Sequence, residues 1–367
     1  MNVNKKLLAA ALSATCLAFA ATTLADDGSS QYGDDGPQTL AVFGDWPYSQ
    51  ALLDNAHLLV NSINSDKAVN LVLHVGDIHS GSMPCTSAHI AFDYQTKTGN
   101  PLATSNPGWN QAIYYQFQQF ERPVVYTPGD NEWADCHKSK QFSSGAPLKE
   151  LASLRELFFA HTGETLGQRE KRVVSQTQAF DPAFPADSQF VENVMWEDSK
   201  VVFATFNMPG GSNNDTDRWS GVFADDAAQA DEVAQRSAAN LHWLAATFEK
   251  AQSDHARAVV IALQADMWDL EGGAAHLTNY TPFVTALADL SVQFGRPVLL
   301  LNGDSHVFKA ETPLADPSSA LGMIHKTRAV PNLTRIVVEG SGVGTHWLRL
   351  AIDPRSKQVF SWQNVAY

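Results

Sequence analysis

Residues 70–79 read NLVLHVGDIH: an aliphatic run closes on Gly76 and the carboxylate of Asp77. The run has the composition of a buried β-strand, and the Gly-Asp pair marks the turn that ends it. The same event recurs in TLAVFGDW (39–46, ending at Asp45), RPVVYTPGD (122–130, Asp130) and RPVLLLNGDSH (296–306, Asp304). The remaining Gly-Asp pair, Gly33-Asp34, sits in a polar segment with no strand before it.

Around these runs the apolar pattern alternates between strand and helix. Strands are expected at 39–44, 70–75, 123–127, 257–264 and 297–302, with helices near 48–64, 109–120, 147–160, 226–251 and 280–293. Alternation of this kind implies βαβ units with parallel strands. QFVENVMWEDSKVVFATFNMPGG (189–211) reads instead as two strands joined by the turn EDSK. TRIVVEG, HWLRLAID and QVFSWQ read as closing strands, the last two joined by the turn DPRSK. The fold class is α/β, and no repeat of fixed period interrupts it.

Lys5 and Lys6, an apolar run over 7–21 and the small residues Thr23 and Ala25 form a secretory signal pattern, with cleavage expected near Ala25. That run is shorter than the roughly 20 residues of a spanning helix, so no membrane anchor is expected after cleavage. Residues 26–38 read as a flexible lead-in and 39–367 as one domain. The full chain carries a formal charge of −14; cleavage at Ala25 removes two lysines and no acidic group, leaving −16. Such a chain repels nucleic acid and anionic membranes. Cys85 and Cys136 remain in the exported part, an even pair that invites a disulfide. A secreted or periplasmic destination follows.

Carboxylates just past the ends of parallel strands gather along one sheet edge. Several anions in one partly buried place need a cation or a proton, so Asp45, Asp77, Asp130 and Asp304 point to a metal, with His306 as a nitrogen ligand. The glycines let backbone pass close to the ion. There is no nucleophile elbow, P-loop, HExxH or dinucleotide-binding fingerprint.

At this point the residues resemble the calcineurin-like metallophosphoesterases, whose blocks run D-x-H, G-D, G-N-H-D/E, a strand-end His, and G-H-x-H. GDWP, GDIHSG, PGDNEW, IALQADMW and NGDSH follow that order across nearly the whole exported chain, and NLHWLAATFEKA resembles the helix before the histidine block. The resemblance implies a two-sheet β-sandwich flanked by helices (αββα), a two-metal site, and hydrolysis of a small phosphate ester by metal-bound hydroxide. Asp77 would bridge the ions; Asp45 and His306 would hold one, with Asp130, Gln264 and Asp304 around the other. Pro47, Asp130, Asn131, Gln264 and Asp304 stand where the family has His, Asn, His, His and His. Oxygen then replaces nitrogen, which suits Mg²⁺, Mn²⁺ or Ca²⁺ better than Zn²⁺; the cofactor expected is one or two divalent ions, Mn, Mg, Ca or Fe/Zn. Catalytic roles fall to Asp77, His306 and Asn131, the last as a transition-state contact that donates no proton of its own, with Glu132 orienting it. Asn131, Asn213 and Asn214 are the substrate-contact candidates. His79 and His137 read as exposed loop histidines, and His346 is split between a site role and a structural one. A Cys85–Cys136 disulfide would clamp the rim if the loops of Asp77 and Asp130 are neighbours. The rival reading is a weakened or inactive metal-binding protein that recognises a phosphorylated or acidic ligand.

Overall fold

The computed structural model describes residues 36–85, 108–214, 217–271, 273–341 and 344–367. The signal-peptide reading of 1–25, and the lead-in as far as residue 35, lie outside the described residues.

The strands are β1 (Gln38–Phe43), β2 (Val69–His74), β3 (Val124–Tyr126), β4 (Val174–Ser175), β5 (Val194–Asp198), β6 (Val201–Thr205), β7 (Ala258–Ala262), β8 (Val298–Asn302), β9 (Lys309–Glu311), β10 (Leu333–Val337), β11 (His346–Ile352) and β12 (Phe360–Ala366). Between them run α1 (Gln50–Asp54), α2 (Ala56–Ser65), α3 (Trp109–Phe117), α4 (Pro147–Phe158), α5 (Gln176–Ala179), α6 (Gly210–Asn213), α7 (Asp226–Ser253), α8 (Thr281–Phe294) and α9 (Gly322–His325). Among the described residues one sheet has the order β12-β11-β1-β2-β3 and the other β4-β5-β6-β7-β8-β10-β9. β1, β2 and β3 are parallel, as are β6, β7, β8 and β10. Hairpin partners β5, β11 and β12 run antiparallel.

Side-chain alternation along β1 shows how the layers form. Leu40 and Val42 face the inter-sheet core with Leu71, Leu73, Val260, Leu299 and Leu301. Ala41 and Phe43 face outward, onto a layer holding Leu59 and Ile63 of α2, Ile113 and Phe117 of α3 and Leu154 of α4. On the second sheet Val259, Ile261 and Leu300 face Trp243, Leu244 and Phe248 of α7 and Leu287 of α8. The period of two sends every other residue to the opposite layer, and the result is a two-sheet sandwich flanked by helices.

The helix expected at 48–64 is two. Asn55 ends α1, its backbone N–H returning to Ala51 O and Leu53 O and its Nδ2 donating to Ala51 O at 2.8 Å. An asparagine side chain competes for helical carbonyls in this way. β4 and β9, at two and three residues, are too short to carry an alternation, and the sequence reading misses both.

Trp196 and Phe203 pair directly across the β5–β6 hairpin, rings stacked with centroids 4.9 Å apart. Both are buried in the inter-sheet layer. Phe203→Ala should cost about 3–5 kcal/mol in urea denaturation; a loss below about 1 kcal/mol would mean that this layer does not hold the sheets together.

Candidate functional site

The carboxyl ends of β1, β2, β3, β7 and β8 each lead into a connecting segment, and backbone bonds stitch the first residues of these segments together. Asp45 N donates to Gly76 O at 2.9 Å, Trp46 N to Asp77 O at 3.0 Å, and Gly303 N to Gln264 O at 3.1 Å. Asp45, Asp77, Asp304 and His306 all take left-handed backbone, with φ of 48°, 60°, 73° and 62°. Aspartate tolerates this region better than most residues, and such strain concentrates at functional sites. A Cβ on Gly129 would lie 2.0 Å from Asp77 Oδ1, and one on Gly303 would lie 2.3 Å from Asp45 Oδ2. The room these two glycines leave is taken by the aspartate of another loop rather than kept for an ion.

The side chains then converge. Asp304 N donates to both oxygens of Asp45 at 3.1 Å, and His306 Nε2 lies 3.3 Å from Asp45 Oδ1. Asp77 Oδ2 accepts from Tyr48 Oη and from Asn131 Nδ2, both at 2.7 Å, while Asp77 Oδ1 accepts from Asn131 N at 3.2 Å. Tyr48 Oη also lies 3.2 Å from Asp45 Oδ1 and 3.3 Å from His306 Nε2. Gln141 Nε2 donates to Asn131 Oδ1 at 3.2 Å, which turns the Asn131 amide nitrogen toward Asp77. Glu132 Oε1 collects Tyr126 Oη, Gly129 N and Asp77 N, bracing the two loops from behind.

Crowded, buried anions resist ionisation. Burial, with the charges of Asp130, Glu132 and Asp45, holds the Asp77 carboxyl well above the usual carboxylate range, and burial with Asp130 does the same for Asp304. Burial raises Asp45 against the pull of His306. Burial also pushes Glu132 up to about 7. Burial alone would lower His306, but Asp45 and Asp130 outweigh it and the imidazole is raised.

Gln264 is not free to ligate. Its Oε1 accepts from Gly210 N at 2.5 Å and its Nε2 donates to Asp130 Oδ1 at 3.1 Å. A backbone N–H must meet the oxygen, so the amide shows Asp130 a nitrogen with hydrogens and no lone pair for a metal. Asn213 and Asn214 are committed as well. Arg236 donates to Asn213 Oδ1, Asn213 Nδ2 donates to Ser237 at 3.2 Å, and Asn214 Oδ1 and Nδ2 bind Trp219 Nε1 and Glu232 at 3.1 Å. Both are buried and anchor their loop to α7, so the substrate-contact reading of these two is corrected. His79 and His137 are buried too, not exposed. Burial lowers His79 to about 4, and its Nε2 finds no hydrogen-bond partner among the described residues. His346 pairs with Glu339 at 2.8 Å. Cys85 and Cys136 are joined by a disulfide, which ties the loop after β2 to the loop after β3.

Four groups at the site escaped the sequence reading. Tyr48 lies at its centre. His74, buried within β2, accepts from Gly76 N at 3.2 Å through Nδ1 and meets Trp46 O at 3.1 Å through Nε2, bridging the Asp45 and Asp77 loops. Asp266 donates its N–H to Asp304 Oδ2 at 2.8 Å, and its carboxylate is held by Arg335 in a buried two-pronged pair at 2.6 and 2.8 Å. Lys138 reaches Asp135 Oδ1 at 2.8 Å and Asp217 Oδ2 at 2.5 Å. The only advance signal was a histidine inside an otherwise aliphatic strand.

The donors fit a hard divalent cation on the Asp45, Asp77 and His306 side, where carboxylate oxygens and one imidazole nitrogen meet. They do not fit it on the Asp130 side, where Gln264 offers hydrogens. Among the described residues no three His, Cys, Asp or Glu side chains stand as a ready-made metal cage; the Tyr48 hydroxyl and Asn131 amide occupy the oxygens that a cation would need.

No protein-family profile matches the chain, and no curated protein matches it. Among solved structures, GAP50, the anchor in the inner membrane complex of Plasmodium, is 9% identical, covering 90% of this chain and 89% of that one with a TM-score of 0.40. A likeness at that level carries no argument.

A carboxyl whose folded pKa is raised stabilises the fold at low pH and loses that contribution as pH rises through the folded value. In chelator, stability should therefore fall between about pH 4.5, the ordinary Glu value, and about pH 7, the value for Glu132. Glu132→Gln keeps the three hydrogen bonds accepted by Oε1 and should flatten that fall; an unchanged slope in thermal melts from pH 4.5 to 7.5 would show that Glu132 does not titrate there.

Proposed function

We propose that this chain is an exported hydrolase of small phosphate esters whose site takes up a divalent cation, in the manner of the calcineurin-like metallophosphoesterases it resembles. The observation that carries the reading is the meeting of Asp45, Asp77, Asp304 and His306 on strained, left-handed backbone at the strand ends of both sheets. Negative charge so concentrated favours a cation, and cation and phosphate suit one another. Export is supported by the signal pattern, by the Cys85–Cys136 disulfide, and by the finding that among the described residues no helix is long and apolar enough to cross a membrane.

Asp77 and Asp45 would hold the cation through carboxylate oxygens and His306 through Nε2. The cation, Mg²⁺, Mn²⁺ or Ca²⁺ before Zn²⁺, would neutralise phosphate charge and polarise the ester. Asn131, its amide aimed by Gln141, donates to Asp77 and is the donor a phosphate oxygen would meet next. Tyr48 donates its one proton to Asp77 at 2.7 Å, and burial together with the Asp77 and Asp45 charges keeps that phenol protonated.

A second reading, a protein that binds an anionic ligand without turnover, is favoured by one feature: Gln264 and Asn131 stand where the resembled blocks have histidines. Asp77→Ala separates the two. Under the hydrolase reading it should remove phosphatase activity on a generic aryl phosphate by more than the roughly 10–100-fold typical of an outer-shell change, along with bound Mn²⁺. Wild-type protein that binds the phosphate ester with no turnover in any divalent cation would replace the hydrolase by the binding protein.

A further inference from the structure

On the Asp130 side the cluster has a positive group of its own. The position a Cβ would take on Gly211 lies 3.1 Å from Asp217 Oδ2, 3.7 Å from Asp130 Oδ2 and 3.9 Å from Asp135 Oδ1, so three carboxylates surround one point. Lys138 Nζ contacts two of them, and its side chain is 20% exposed. Lys140 adds a second ammonium, 3.2 Å from Asp135 Oδ2 and 54% exposed. Asp130 Oδ1 is taken by the Gln264 amide at 3.1 Å.

Resting on the cation-centre reading above, we propose that the Lys138 ammonium is the resident cation of the Asp130 side, so that the protein takes up one divalent ion and not two. Charge and geometry both argue for it. Three carboxylates gathered about one point repel unless a positive charge sits among them, and Lys138 supplies one through two short bonds, without dehydrating a metal ion. Gln264 covers Asp130 Oδ1 alone, whereas Lys138 directs its hydrogens at Asp135 Oδ1 and Asp217 Oδ2, so Lys138 is the group that keeps those lone pairs and Asp130 Oδ2 from a second cation. Lys138 is tied to the site by position as well: it lies two residues past Cys136, in the loop that the disulfide fastens beside Asp77. It acts as a positioning residue, joining Asp135 to Asp217 beside Asp130 and leaving the Asp45, Asp77 and His306 side as the one place for a metal.

The test is equilibrium dialysis of the full exported chain against Mn²⁺, with metal counted per chain and the bound ion examined by electron paramagnetic resonance. Wild type should hold one ion with the hyperfine pattern of an isolated Mn²⁺. Lys138→Ala should hold two. If Lys138→Ala does not fold, Lys138→Met, which keeps the length of the side chain and loses both its charge and its hydrogens, takes its place with the same expected count. Two ions in wild type, or one in both proteins, overturns the assignment and leaves the cation centre standing. None in wild type but one in the variant overturns the single-ion assignment together with the hydrolase reading. None in either overturns both.

Discussion

The edge where the strands end carries more buried carboxylate than the fold supplies positive charge to offset. Two unit charges 4 Å apart interact by roughly 4 kcal/mol at an effective dielectric of about 20, so how Asp45, Asp77, Asp130 and Asp304 are neutralised constrains everything around them. Each is treated differently. Asp45 accepts the Asp304 backbone N–H and faces His306; Asp77 takes a phenol and an amide; Asp130 takes an amide and stands near Lys138; Asp304 accepts the Asp266 N–H. Asp266, itself an anion, is balanced by Arg335 on β10, a buried pair whose loss would leave another charge uncompensated.

That arrangement requires two sheets. β1, β2 and β3 deliver Asp45, Asp77 and Asp130 from one sheet, while β7 and β8 deliver Gln264 and Asp304 from the other. The inter-sheet layer of Leu40, Val42, Leu73, Val260, Leu299 and Leu301 holds the two rows of strand ends face to face. Only then does the Asp304 N–H reach Asp45 across a sequence separation of 259 residues. The glycines before the aspartates belong to the same constraint: close approach of carboxylate to backbone leaves no room for a Cβ at Gly129 or Gly303.

The sandwich was legible because its strands are long aliphatic runs closed by turn chemistry, and the gathering of carboxylates followed from parallel strands alone. Pattern reading found the hairpin at EDSK and the turn at DPRSK for the same reason. What it missed has a common physical source. Tyr48 and Lys138 each have one carboxylate three residues away, Asp45 and Asp135, but their contacts with Asp77 and Asp217, like the Asp266–Arg335 pair, are made by tertiary packing that local spacing does not announce. Asn213 and Asn214 misled in the opposite direction. Two polar residues in a glycine-rich loop read as ligand-facing, yet α7 carries the buried Arg236 and Glu232, which claim them. A loop position suggests solvent for His79 and His137, whereas both side chains are buried.

The donors now holding the carboxylates set the terms on which any cation enters. Tyr48 and Asn131 each place a hydrogen on Asp77 Oδ2 at 2.7 Å, so a metal gains that oxygen only by displacing both. Displacement is easiest where the released groups have other partners. The Asn131 amide has the Tyr48 hydroxyl at 3.0 Å, whereas the other neighbours of Tyr48, Asp45 and His306, are the side chains that would hold the cation. Gln264 lacks that freedom, because its oxygen is held by Gly210 N and its nitrogen by Asp130, and turning the amide would set oxygen against carboxylate and donor against donor. The two halves of the cluster therefore differ in kind: one would exchange the hydrogen bonds of a phenol and an amide for a cation, while the other is held by an amide that cannot turn and by the Lys138 ammonium.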